Sequence, residues 1–367
     1  MPPQPSLEQT LATTDTLLSQ YLEVLGPNKA EDVTLSDPPA ALPLLSDCAR
    51  LLKAQVTKLS LLAINKPFTP SAISSVLRDT TTSCLPAMMS AVQICETQRD
   101  MFGGFFVDEI RGRVRRVVRE MLGLVQEVTS IANEAAQKNA QGRRSDNGGR
   151  DSLSSTGIVW SGCDDLITLT TTGVAGLAVH KAEAYRDMIS DAIAELQEWR
   201  EGEDTENEGI EDNLLDSDDE GVDGDRDSLN DLFNAANSLP ADRVQLRKLV
   251  EEAESKLKKV VLLYTALIKR RIKQFPAQPT ASDADVVRRL NSVTSSFKQI
   301  SNMVDDMASS FYDLDEELAE KKLHDLLGQA MSCADIMEHN VKDKEDEFTN
   351  WLTRWKEAIS SSPEDED

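Results

Sequence analysis

Residues 285–311 read DVVRRLNSVTSSFKQISNMVDDMASSF. Val286, Leu290, Val293, Phe297, Ile300, Val304, Met307 and Phe311 follow one another at steps of 4, 3, 4, 3, 4, 3 and 4. An α-helix completes a turn in about 3.6 residues, so this spacing draws all of them into one apolar stripe. A strand would scatter the same residues over both of its faces. A stripe of this length can zip to a second chain or form one wall of an intramolecular bundle. Matching stripes in the neighbouring segments favour the bundle wall.

The neighbours repeat the pattern. Upstream, Leu246, Leu249, Ala253, Leu257, Val260, Tyr264, Leu267, Arg271 and Phe275 mark a helix whose one polar stripe member is Arg271. Downstream, a helix is expected from about Asp315 to Val341 through Leu318, Leu323, Leu326, Leu327, Ala330, Ala334 and Met337. A short last helix holds Phe348, Trp351, Leu352, Trp355 and Ile359. The N-terminal half is equally regular. Ser6 and Gln9 form a capping-box pattern ahead of Leu7, Leu11, Leu18 and Leu22, and Gly26-Pro27 stops that helix. Leu45, Cys48, Leu52, Val56, Leu59 and Leu62 mark a second. Thr69-Pro70 opens a third, which Pro86 should kink or split. Phe106, Ile110, Val114, Val117, Met121, Val125, Val128, Ala132 and Ala135 give a fourth. After a polar break at Gln141–Ser155 come Ile158–Leu169 and, past Gly173 and Gly176, a helix with Leu177, Ala184, Tyr185, Met188, Ala192, Leu196 and Trp199.

Composition agrees. The 367 residues include 17 Gly and 14 Pro, too few turn formers for many short strands. Net charge is −25, and 15 acidic residues against one basic residue crowd residues 201–231. Such a block repels itself and has little apolar surface to bury. The fold expected is all-α: an N-terminal bundle over 1–200, a disordered acidic linker over 201–231, a C-terminal bundle over 232–360 and an acidic tail over 361–367. The excess of acid argues against binding nucleic acid directly. No run of about 18 apolar residues suggests a membrane span, and the first residues do not read as a secretory signal. Five scattered cysteines (Cys48, Cys84, Cys95, Cys163 and Cys333) fit buried thiols in a reducing compartment.

Catalytic signatures are missing from the sequence. It holds no glycine-rich phosphate loop, no nucleophile elbow and no zinc-protease motif. His180, His324 and His339 are too far apart for ligand spacing, and no C-x-x-C occurs. No enzyme, metal or cofactor is therefore expected. Arg111, Arg115 and Arg119 share one helix face and form a candidate basic patch, against the plainer reading of a solvated face. Lys256, Lys258, Lys259, Lys269, Arg270, Arg271 and Lys273 offer a second. Ser217, three residues before Glu220 and surrounded by acids, is a candidate phosphosite.

Residues 156–166 (TGIVWSGCDDL) are followed by a helix ending in AIAELQEW (192–199) and then by the acidic segment. This order resembles the cyclin-D-binding protein family, GCIP-like and also described as the Maid homologue. The resemblance rests on Gly157, Val159, Trp160, Cys163, Asp164, Leu166, Glu195, Leu196 and Trp199. It implies an all-helical, two-domain adaptor that binds D-type cyclins and helix-loop-helix transcription factors. It further implies restraint of cell-cycle progression, residence in cytoplasm and nucleus, and no catalytic residues. No basic region leads into a helix-loop-helix here, so direct DNA reading is not expected. The R-x-L triplets at Arg50, Arg247 and Arg288 fall inside expected helices, where an extended docking peptide cannot form. The expectation is a non-enzymatic adaptor that negatively regulates the cell cycle; the alternative is a cytoskeletal or scaffold bundle.

Overall fold

The computed structural model describes residues 6–26, 39–140, 154–202 and 238–361. The expected linker, apart from Glu201 and Gly202, lies outside these residues, as do Ser217 and residues 362–367 of the tail. Among the described residues all regular structure is helical. The chain divides into two compact units, each built from separate stretches. One comprises residues 1–177 and 276–288, the other 178–275 and 289–367. The compositional division at residue 200 thus differs from the division by contacts, which places residues 178–200 with the second unit.

The first unit begins with α1 (Leu7–Val24). Its capping box forms as expected: Ser6 Oγ accepts from the Gln9 amide at 3.2 Å, and Gln9 Oε1 accepts from the Ser6 amide at 3.1 Å. Next come α2 (Ala41–Ile64), α3 (Pro70–Asp79), α4 (Leu85–Thr97), the short α5 (Arg99–Phe102) and α6 (Gly104–Ala140). Pro86 does split its segment. A π-helical turn, Thr80–Cys84, separates α3 from α4 immediately before it. Proline cannot donate to the preceding turn, and a wide turn absorbs the misfit. The hydroxyls of Thr80, Thr81, Thr82 and Ser83 donate to the carbonyls of Val76, Leu77, Arg78 and Asp79 at 2.6–2.9 Å. The expected α6 stripe from Phe106 to Val128 is buried throughout.

The helix α7 (Ser154–Glu201) breaks at Gly173, whose φ of 66° and ψ of −164° only glycine adopts without strain. The break opens the backbone there, and the Val174 amide donates to the Ala277 carbonyl at 2.9 Å. A Cβ on Gly173 would overlap that same carbonyl oxygen. The first limb of α7 crosses α6 closely: a Cβ at Gly162 would stand 2.8 Å from Val117 Cγ2.

The second unit holds the second limb of α7, α8 (Val244–Arg270), most of α9 (Ala284–Tyr312), α10 (Glu316–Ile336) and α11 (Glu347–Ser360). The heptad residues from Leu290 to Phe311 are buried, as a bundle wall requires. Tyr264 stacks on Phe297 at 4.3 Å and donates its hydroxyl to the Phe297 carbonyl at 2.9 Å. A phenol can therefore stand in an apolar stripe.

Several expected positions shift. Val287, not Val286, is buried at the start of α9, because that turn packs its Val287 side chain against Gly103 of the first unit. Val250 replaces Leu249 in the buried stripe of α8. In the second limb of α7, Ala182, Ile189 and Ile193 are buried, whereas Ala184 and Met188 are exposed. Two stripes overlap in that stretch, and the one carrying both isoleucines turns inward. The helix expected to reach Val341 ends at Ile336.

Gly173→Ala is expected to destabilise the chain by more than about 2 kcal/mol through strain and overlap together. Thermal unfolding of the variant beside Gly157→Ala checks this, since a Cβ at Gly157 meets nothing within 4 Å.

Candidate functional site

The helix α6 has 37 residues and α1 has 18, so α1 covers only about half of its length. Where the cover runs out, a groove of about 680 Å³ opens in the first unit. Leu7, Leu11 and Ala12 of α1 form one wall, and Ala132, Ala135 and Ala136 of α6 the other. Phe68 and Pro70 close one end, while Glu8 and Asp15 supply negative charge on the α1 side. The alanines keep the α6 wall low, which is what makes a trough there. Sequence reading took Ala132 and Ala135 as core and missed the groove. The signal was available: the large side chains of the α6 stripe stop at Val128 while the helix continues.

The residues that carry the family resemblance divide between the two units. Val159, Cys163 and Leu166 are fully buried in the first. Asp164 meets Lys53 of α2 at 2.6 Å, and Thr156, two positions from Ile158, shares a 2.6 Å hydrogen bond with Ser60. Gly157 is exposed, and Trp160 is half-buried with its Nε1 buried and without a hydrogen-bond partner among the described residues. Leu196 is buried in the second unit, Glu195 is exposed, and Trp199 packs edge-on against Tyr312 at 5.3 Å. These residues mostly pack helices against each other.

The expected patch of Arg111, Arg115 and Arg119 is not one surface. Arg111 donates to the Val24 carbonyl at 2.9 Å and pairs with Glu96 at 3.1 Å, closing the C-terminal end of α1. Arg115 is half-buried and Arg119 exposed. The neighbouring Arg113 and Arg116 reach the Asp165 carbonyl and carboxylate respectively. The second basic stretch is likewise divided. Lys256 is buried and donates to the carbonyls of Ile359, at 2.7 Å, and Ser361. Lys259 donates to the Ala358 carbonyl at 2.9 Å.

Arg271 is the largest fully buried side chain, 1% exposed. Its Nε donates to the Met337 carbonyl at 2.9 Å and Nη2 to the Glu338 carbonyl at 2.8 Å. Nη1 and Nη2 grip both oxygens of Asp346, each at 2.8 Å. Asp346 in turn caps α11 by accepting from the Phe348 and Thr349 amides. The guanidinium lies 4.3 Å from the Phe348 ring centre. Its hydrogen bonds, followed by its charge, hold the Asp346 carboxyl down to about 2.

Burial pushes the thiols of Cys84, Cys95 and Cys163 up to about 12, and those of Cys48 and Cys333 upward as well. They stay protonated and are poor nucleophiles. Among the described residues no three His, Cys, Asp or Glu side chains are placed to share a metal ion, and no helix is long and apolar enough to cross a membrane. The R-x-L triplets at Arg50, Arg247 and Arg288 lie within α2, α8 and α9, as expected.

What the fold and groove define is an all-helical protein with an apolar trough on one bundle. Residues 44–202 match the family described as Grap2 and cyclin-D-interacting, N-terminal. Through this segment the chain is similar to that GCIP-like family. It is also 25% identical over 320 residues to an uncharacterised protein of Schizosaccharomyces pombe, covering 86% of this chain and 83% of that one.

The Arg271–Asp346 pair gives a pH signature. The folded carboxyl ionises at about 2 and an unfolded aspartate at about 3.9. The stabilisation is therefore complete above about pH 4 and is lost as pH falls toward 2. Arg271→Met is expected to cost about 3 kcal/mol near neutral pH. Asp346→Asn should unfold with a flatter pH dependence than the native chain between about pH 4 and 2. Urea unfolding from neutral pH down to about pH 2 measures both.

Proposed function

We propose that the chain is a helical adaptor that works by protein–protein contact, with no catalytic step, and that D-type cyclins are among its partners. The groove between α1 and α6 carries this reading, because its α6 wall belongs to the segment that matches the cyclin-D-interacting family. An amphipathic helix presents an apolar stripe that fits such a trough. Basic residues flanking that stripe would meet Glu8 and Asp15. Holding a cyclin or a helix-loop-helix factor in this way would withhold it from other complexes, which is how the adaptor would restrain cell-cycle progression. The protonated thiols support a role without nucleophilic chemistry.

Purified chain should retain a purified D-type cyclin or a helix-loop-helix factor in a saturable manner. Ala12 and Ala136 are both exposed, so Ala12→Arg and Ala136→Arg should keep the helical circular dichroism spectrum while lowering affinity at least about tenfold. Absence of saturable binding to either class of partner, or binding indifferent to both variants, would sink the reading.

A further inference from the structure

A second groove, of about 760 Å³, lies wholly within the second unit between the C-terminal turns of α8 and the first turns of α11. Its apolar surface is Leu262, Ala266, Phe348 and Trp351. Leu262 is 51% exposed, so its side chain is open to a ligand lying in the groove. Trp351 stacks on Phe348 at 5.4 Å with 22° between the rings, and Phe348 is backed by the Arg271 guanidinium. The aromatic floor is therefore fixed by the same ion pair that holds the following helix in place.

The charge around this floor opposes that of the whole chain. The lining contains four cationic and two acidic side chains, in a protein with 64 acidic residues against 39 basic ones. Arg271 is taken up by Asp346. That leaves Lys269, Arg270 and Arg354, all exposed, facing Glu347 alone. Among the described residues none of these three cations forms an ion pair. They stay open to solvent, whereas the half-buried Arg111, Arg113, Arg200 and Arg247 each have a carboxylate or a carbonyl partner.

We propose that this groove docks an acidic linear segment of a partner protein, one in which a large apolar anchor is flanked by Asp, Glu or phosphoserine. The anchor lies on Trp351 and Leu262, and the flanking anions meet Lys269, Arg270 and Arg354. Apolar burial supplies the affinity, and the cationic rim sets the preference for acid and speeds the encounter. Docking here is separate from the α1–α6 trough, which is acid-rimmed and suits a basic partner.

Fluorescence anisotropy of a labelled peptide, with a Leu-Leu pair set among Asp and Glu, tests this on the full chain. Binding should be saturable and weaken as salt rises. The double variant Lys269→Glu/Arg354→Glu should lose at least about tenfold in affinity, and Leu262→Ser should also weaken it. Lys258→Glu, exposed on α8 but outside the groove, should bind as the native chain does. Ala12→Arg and Ala136→Arg should also leave peptide binding unchanged, which separates this groove from the trough. Unaltered affinity in the double variant overturns the proposal, as does equal binding of a Lys-flanked peptide. So does failure of the peptide to bind while phosphatidylserine vesicles, or the chain's own acidic residues in a cross-link to Lys269, occupy the rim.

Discussion

A buried guanidinium has five N–H donors to satisfy, and this requirement shapes the second unit. Arg271 meets it with two oxygens of Asp346 and the carbonyls of Met337, Glu338 and, at 3.4 Å, Arg270. Each partner is a constraint on the chain. The Met337 and Glu338 carbonyls fix where α10 ends, and Asp346 fixes where α11 begins. The planar fork also presents a face to Phe348, which sets the tilt of the first turn of α11. One polar residue in an otherwise apolar stripe thus determines a turn, a helix cap and an aromatic floor. Its burial is tolerated only because every donor is occupied; a lysine in its place could not grip Asp346 through two parallel bonds.

The same need explains where several of the basic residues went. Every helix leaves its last carbonyls without amide partners, and its C-terminal end carries partial negative charge. Here cations from other helices meet the ends of α1, α7 and α11. Arg111 closes α1, Arg247 reaches the Arg200 carbonyl near the end of α7, and Lys256 and Lys259 close α11. A protein with few glycines has few left-handed glycine caps to offer, and cations supply the alternative. Among the described residues Lys269, Arg270 and Arg354 close no helix and pair with no acid.

The sequence made the helices legible because burial follows a 3.6-residue period whatever the partner helix is. The α6 stripe and the capping box of Ser6 and Gln9 needed no tertiary information. Even Arg271 was visible as a polar intruder in a stripe. Its partner was not, since Asp346 lies 75 residues away and only the path of the chain brings them together. Arg111, Arg115 and Arg119 looked like a surface for a similar reason: spacing shows that residues share a helix face, and says nothing of what that face meets. The two grooves were missed because a groove belongs to two helices at once. Ala132 on α6 reads as core until the length of α1 is known.

The matched segment and the folding units do not coincide. Residues 44–202 end beyond the first unit, with Ile189, Ile193 and Leu196 buried in the second. Conversely, residues 276–288 lie outside the segment yet complete the first unit, where Ala277 receives the Val174 amide exposed by the Gly173 break. The likeness to the family therefore spans parts of both units rather than one self-sufficient bundle. Within the first unit, a straight helix at Gly173 would have kept Val174 bonded within itself and left the Ala277 carbonyl without that donor. The break turns a length of helix into a joint with a specific partner, and that joint anchors the 276–288 stretch in the first unit.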